Sequence, residues 1–554
     1  MAATLAALLL QPAPARAASY WVGNGGNPPC THATLQAAID TAVGGAGDDL
    51  IYLVGPGPFT GPFTVFGGGI YLVGNVGSCG STTTVGFATL RAPSGSRPLT
   101  ILMGGAETVT LQRIVVTTED GTLSGDGGGI WFAGASPASR LELITSQVSA
   151  CTATGNGGGI YVSGGTLVVL TSSLVALNAA NNGGGIAGEN GAVVEVRGGY
   201  VVSNTALLDG GGIYAPDARV FLENGSIATE TVVANNIAGR DGGGLYLGGA
   251  WEDYLTAKPG VPPTMVSGNL AQRGGGLFVD GSFVRLIYAS VDNNQAGAEG
   301  GGLYLTNEGA VVTNGLSELV PTLGGFPRLE TNRAADGAAL HVDDGVVVMS
   351  SGRIRDHHAG AGAPAVATVS VGTLLLHGVQ VDANEAPALF GVESSARLQL
   401  EHLGISGNTV GGIVRWRGTY STVSVVSTAL DESEAFFASF ESPSSPPAFG
   451  CVVSRFASPF AVVPPGTDLS QVTVADPQFA APPFDLHLRP TSPGIDLCLS
   501  TSRFDLDGDR RSHDDPYHPN APGWTGDAGI DEVTVLFRDG FESGNRGQWA
   551  GAWP

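Results

Sequence analysis

The chain has 554 residues, 86 of them glycine, and a formal net charge of −24 from 25 basic and 49 acidic side chains. The glycines cluster in triplets rather than falling at every third position, which excludes collagen, and Val, Leu and Ile recur too often for a disordered chain. So acidic a surface repels phosphate backbones and bare anionic lipid, which sets nucleic acid aside as a partner.

In chain order, residues 1–17 read as an export leader. An apolar run over 5–10 precedes the small-x-small site Ala15-Arg16-Ala17. The run is too short for a bilayer, and no other stretch reaches the ~18 uninterrupted apolar residues of a spanning helix, so no transmembrane span is expected. Residues 18–125 are expected to hold an N-terminal cap and the first coils. Within them, residues 34–43 place Leu35, Ala38, Ile39 and Ala42 on one helical face, with Thr34 as N-cap and Gly44-Gly45 as the stop. A coil end left open is an aggregation-prone edge, and this short helix is suited to cover it. The cysteines, Cys30, Cys79, Cys151, Cys451 and Cys498, lack zinc-site spacing. Proximity in sequence pairs Cys30 with Cys79 and Cys451 with Cys498, and leaves Cys151 alone.

Residues 126–435 are organised by a repeat. Gly-Gly-Gly followed by an aliphatic residue begins at Gly127, Gly157, Gly183, Gly210, Gly242, Gly274 and Gly300. Degenerate copies follow at Gly337, Ala363, Ala386 and Gly411. Most copies lie roughly 23 to 32 residues apart, the range of a solenoid period. A second column keeps step with it, in the pattern aliphatic-x-x-Asn-x-small. It comprises Asn178, Asn204, Asn236, Asn269, Asn294, Asn332, Asn384 and Asn408, with Cys151 and His357 in the same slot of two coils. An amide both donates and accepts, so asparagines stacked at about 4.8 Å are expected to bond to one another and to the turn backbone. The segments between are short and rich in β-formers, as over 166–170 and 193–196. Each period therefore predicts one coil of about three short strands with glycine-rich corners. The fold class is all-β, a parallel β-helix with a short N-terminal capping helix.

These motifs resemble the right-handed parallel β-helix superfamily of pectin-lyase-like proteins over roughly residues 30–535. The Gly-Gly-Gly-[Ile/Leu]-[Tyr/Phe] copies resemble polymorphic outer-membrane protein repeats. Residues 436–535 are expected to be C-terminal coils and a cap. Their Ala475-Asp476-Pro477-Gln478-Phe479, Ser492-Pro493-Gly494-Ile495-Asp496 and Asp527-Ala528-Gly529-Ile530-Asp531 resemble the terminal region of choice-of-anchor type exported bacterial proteins. The tail over 536–554 resembles a short ending of secreted gammaproteobacterial proteins and suggests a sorting tag. The alternating strands of an autotransporter barrel are missing from 440–554.

The resemblance spans lyases, hydrolases, adhesins and inert passengers, so the residues must argue function. The insert over 249–263, with Trp251, Asp253, Tyr254 and Lys258, the sole lysine, is expected to project as a ligand-binding loop, as is a second insert over 316–327. The residue before each triplet is mostly acidic or amide: Asp126, Asn156, Asn182, Asp209, Asp241, Arg273, Glu299 and Asp336. Stacked, these form an outward, exposed column that needs no metal, although Asp209 and Asp241 are hard oxygen ligands of the kind Ca²⁺ takes. Arg273 is placed to neutralise its neighbours. Asp505, Asp507 and Asp509 resemble the start of a Ca²⁺ loop, without the glutamate that completes an EF-hand. Carboxylate pairs such as Asp343 with Asp344, or Asp382 with Glu385, are no better than chance, and no catalytic residue is assigned. His357 takes a packed structural role. The expectation is an exported, monomeric, non-enzymatic protein of a bacterial surface, in contact with glycan or a cell-surface component. The alternative is a polysaccharide lyase or glycoside hydrolase acting on acidic glycans.

Overall fold

A computed structural model describes residues 17–23, 30–44, 49–170, 172–226, 229–258, 260–313, 326–360, 365–441, 443–482, 485–498 and 526–530. Residues 1–16 of the expected leader, the second insert from 316 to 325, Asp505, Asp507, Asp509 and the C-terminal tail lie outside these residues. The fold is all-β with parallel strands stacked in sheets, an arrangement consistent with a β-helix-like solenoid. Among the described residues no helix is long and apolar enough to cross a membrane. The chain divides into two compact units, residues 1–254 with 264–271, and residues 255–263 with 272–554.

In the first unit, the helix Leu35–Val43 buries Leu35, Ala38, Ile39 and Ala42, and the Thr34 hydroxyl accepts from the Ala37 N–H. From Leu99 onward the strands recur in fixed order. The strand that follows each triplet stacks in register through Leu99, Ile130, Ile160, Ile186, Ile213 and Leu245. A second strand stacks as Thr108–Gln112, Arg140–Ile144, Thr166–Leu170, Val193–Arg197 and Arg219–Asn224. A third, from Gln147–Ser149 to Thr264–Ser267, turns at the asparagine column. Coils also hold more than the three strands expected from the repeat. A fourth, two-residue strand follows the asparagine, as in Ala179–Ala180, Thr205–Ala206 and Ile237–Ala238. Its residues are too few to show a period of two in the sequence.

The triplet 157–159 shows why three glycines are needed. Gly157 has φ +69°, a left-handed backbone that glycine adopts without a Cβ penalty. A Cβ on Gly158 would lie 2.4 Å from the Ala179 carbonyl oxygen, and one on Gly159 would lie 2.8 Å from the Asn178 amide nitrogen. The first glycine shapes the turn, while the next two let adjacent coils approach.

The ladder runs through this approach. In the first unit the Asn178 Oδ1 accepts from the Cys151 N–H at 3.0 Å. Asn204 Oδ1 accepts from the Asn178 N–H at 3.1 Å and its amide at 3.0 Å. Asn236 serves Asn204 likewise at 2.9 and 3.0 Å, and Asn269 serves Asn236 at the same distances. Each amide also donates to a strand carbonyl, as Asn204 does to Val175 at 3.0 Å. Buried Cys151 ends the row, its thiol pushed up to about 12 by burial.

In the second unit, Leu277, Leu303, Leu340, Ala367, Phe390, Val414 and Phe437 stack in register. Strands there run through corners, as in Leu340–Arg355 and Ala367–Asp382. The ladder passes from Asn294 to Asn332 at 2.8 Å and from the Asn332 N–H to His357 Nδ1 at 3.1 Å. His357 Nε2 lies 2.8 Å from the Leu329 carbonyl, so the neutral Nε2–H tautomer satisfies both contacts, and burial pushes the imidazole down to about 4. Asn384 and Asn408 continue the row. Glu432 then receives the Asn408 N–H at 2.9 Å and its amide at 2.8 Å. Phe479, Leu486, Leu488, Ile495 and Ile530 pack with Ala429. Disulfides Cys30–Cys79 and Cys451–Cys498 are formed, one in each unit.

Candidate functional site

Part of the insert expected to project is built into the sheet instead. Glu252–Ala257 is a strand whose side chains alternate, so Asp253, Leu255 and Ala257 turn inward. Asp253 is fully buried and accepts from the Val220 N–H at 2.7 Å. Tyr254 stacks on Phe221 of the preceding coil, with ring centroids 5.4 Å apart and planes 8° from parallel. Trp251 is half-buried. Lys258 is exposed and belongs to the second unit, whereas Trp251, Asp253 and Tyr254 belong to the first. Stacking across coils uses the surface a free loop would have offered.

The acidic column is likewise less open than expected. Asp209 and Asp241 are both buried, and Arg240 bonds to Asp209 while its Nε lies 3.4 Å from Asp241 Oδ2. The Asn156 N–H donates to Asp126 Oδ1 at 2.8 Å, and the Asn182 amide to Asn156 Oδ1 at 2.9 Å. These side chains hold neighbouring coils in register. Arg273 lies over the rings of Phe278 and Tyr304 at 5.1 and 5.2 Å, and Tyr304 stacks in turn on His341. Asp382 is buried against Arg355 at 3.2 Å, with burial pushing its carboxyl up to about 6, while Glu385 is exposed beside His358. The two acids sit in unlike surroundings. Among the described residues no group of three or more His, Cys, Asp or Glu side chains is arranged to hold a metal ion.

Open, concave surface instead gathers at the corner that follows the triplet strand. In the first unit a trough of about 750 Å³ crosses five successive coils there. Phe66 stands at one end with 74% of its surface exposed, because in the strand Phe63–Phe66 the first and third side chains turn inward and the fourth turns out. Glu107 enters from the second coil, fixed by the Gly105 N–H at 2.9 Å. Asn190 lies at the far end, its amide donating to the Ser163 hydroxyl of the preceding coil at 3.0 Å.

In the second unit the same corner carries a notch of about 480 Å³ lined by Glu393, Arg417, Tyr420 and Glu441. Tyr420 is 78% exposed. The corner beneath it is tied by hydrogen bonds. Buried Trp416 donates its Nε1–H to the Gly418 carbonyl at 3.0 Å, and the Ser421 hydroxyl lies 3.0 Å from the Glu393 and Ser394 carbonyls. Arg415 meets Glu393 at 2.6 Å and Arg417 approaches it at 3.8 Å, so the carboxylate is balanced from two sides. An exposed ring beside fixed polar groups suits a polyol with an apolar ring face.

Sequence reasoning missed both rings. Phe66 was readable from the strict alternation Phe63-Thr64-Val65-Phe66, which must expose one phenylalanine. Tyr420 carries no such signal, because it lies in a turn beyond the last clear triplet copy. No family model matches the chain, and neither a curated protein nor a solved structure matches it.

Proposed function

We propose that this chain is an exported, non-enzymatic right-handed parallel β-helix of the pectin-lyase-like kind, which contacts glycans at a bacterial surface or in the surrounding matrix. The observation that carries the reading is the pair of exposed aromatic rings at the corner following the triplet strand, Phe66 in a trough with Glu107 and Tyr420 in a notch with Glu393 and Glu441. Stacked coils supply rigidity, so such rings are held without the cost of ordering a loop on binding. Export is supported by the two disulfides, which form and persist in oxidising compartments. The capping helix and the C-terminal segment suit the two ends of such a helix.

The test is retention of the purified protein on an immobilised panel of plant and bacterial polysaccharides, followed by analysis of what is released. The expected result is retention on at least one polysaccharide, with the polymer recovered intact. New reducing ends, or unsaturated products absorbing in the ultraviolet, would instead identify a hydrolase or lyase.

A further inference from the structure

Resting on the glycan-contact reading, we propose that the trough of the first unit binds an uncharged polysaccharide laid across successive coils. Its length supports a chain rather than a single sugar. Five coils give four spacings of about 4.8 Å, or roughly 19 Å, room for about four pyranose rings end to end. Its lining is chiefly apolar, with Phe66 and Leu102 at one end and Pro137 on a wall. These surfaces match the C–H faces of sugar rings, while Glu107, Ser136 and Ser163 offer acceptors and donors to hydroxyl groups.

Charge selects the class of glycan. Among the described residues lining the trough, Glu107 is the one ionisable side chain, and no arginine or lysine accompanies it. A uronate or sulfate would enter without a counter-charge, against a chain of net charge −24. An extended peptide is disfavoured by geometry. The trough runs across the strands, and their backbone groups are already spent between coils, as in Gly67 N–H to Leu102 O at 2.8 Å and Ala135 N–H to Met103 O at 3.0 Å. No sheet edge is offered there for strand addition.

Gly104 provides a clean way to close the trough. A Cβ built on it meets nothing within 4 Å, and its backbone is not left-handed, so a larger side chain fills the space without straining the fold. The experiment is calorimetric titration of the full chain with neutral β-linked oligomers of glucose, mannose and N-acetylglucosamine, about two to six rings long, and with oligogalacturonides of equal length. Wild type, Gly104→Leu, Phe66→Ala and Tyr420→Ala are compared. The expected result is binding of a neutral series whose affinity rises to about four rings and is insensitive to added salt. Gly104→Leu and Phe66→Ala are each expected to weaken it by about tenfold or more at unchanged melting temperature. Preference for oligogalacturonides, affinity independent of length, or neutral-sugar binding lost only in Tyr420→Ala would overturn the proposal while leaving the glycan reading intact. Failure of every glycan to bind would overturn the reading itself.

Discussion

Asn204→Ala is expected to destabilise the first unit by about 3–5 kcal/mol, because one amide satisfies several buried groups at once. Its oxygen accepts from the backbone and side chain of Asn178, and its nitrogen donates to the Val175 carbonyl and to Asn236. Removing it strands the Asn178 N–H and one N–H of the Asn178 amide in a dry interior, each at about 1–3 kcal/mol. Asn204→Asp should be nearly as damaging, since a carboxylate cannot donate to Val175. A single melting temperature averages over stacked coils and does not locate the loss. Site-resolved hydrogen exchange is better, with lost protection centred on the coils of Asn178 and Asn204. Protection unchanged there would show that the ladder is ornamental.

The second large effect is on pH dependence in the second unit. Burial pushes the Glu432 carboxyl up to about 7 from an ordinary value of 4.5, although the Asn408 bonds favour its charged form. A carboxyl with a raised folded value binds its proton more tightly in the native state, so its contribution to stability falls as pH rises from about 4.5 to about 7. The span corresponds to about 3 kcal/mol. Glu432→Gln keeps an oxygen for Asn408 and carries no charge. It should raise stability by about 2–3 kcal/mol at pH 8 and be nearly neutral at pH 4. His357 acts in the opposite sense. Its folded value of about 4 lies below 6.5, so its contribution is complete above pH 6.5 and is lost as pH falls towards 4. His357→Asn restores the commoner ladder residue and should remove that acid-side loss. Urea melts of both variants at pH 4, 6 and 8 check the signs, and parallel pH profiles for wild type and Glu432→Gln would refute the assignment.

The asparagine column and the triplets were legible because each position has one dominant physical demand. Glu432 was not, for a reason visible in the register. Ile405 pairs with Leu430 and Ser406 with Asp431, which places Glu432 opposite Gly407, one residue before the ladder slot of Asn408. Its longer side chain makes up the difference, so a search for asparagine at fixed spacing passes over it. Within the insert over 249–263, residues 252–257 misled for the opposite reason. Trp251, Asp253 and Tyr254 look like a binding loop, yet the alternation of Asp253, Leu255 and Ala257 already spelled a strand. Asp209 and Asp241 looked exposed because the sequence places them before glycine, and only the stacked coils bring Arg240 across both.

Glycan contact rests most directly on the two exposed rings. The decisive measurement is polysaccharide binding by the double variant Phe66→Ala with Tyr420→Ala, set beside wild type under identical salt and pH. Both side chains are mostly in solvent, so the fold should be unaffected, with the same far-ultraviolet dichroism and melting curve. Wild type is expected to be retained on its glycan and the double variant to elute with the unbound fraction. Retention of the double variant at wild-type strength would contradict a glycan-contact role for the two rings.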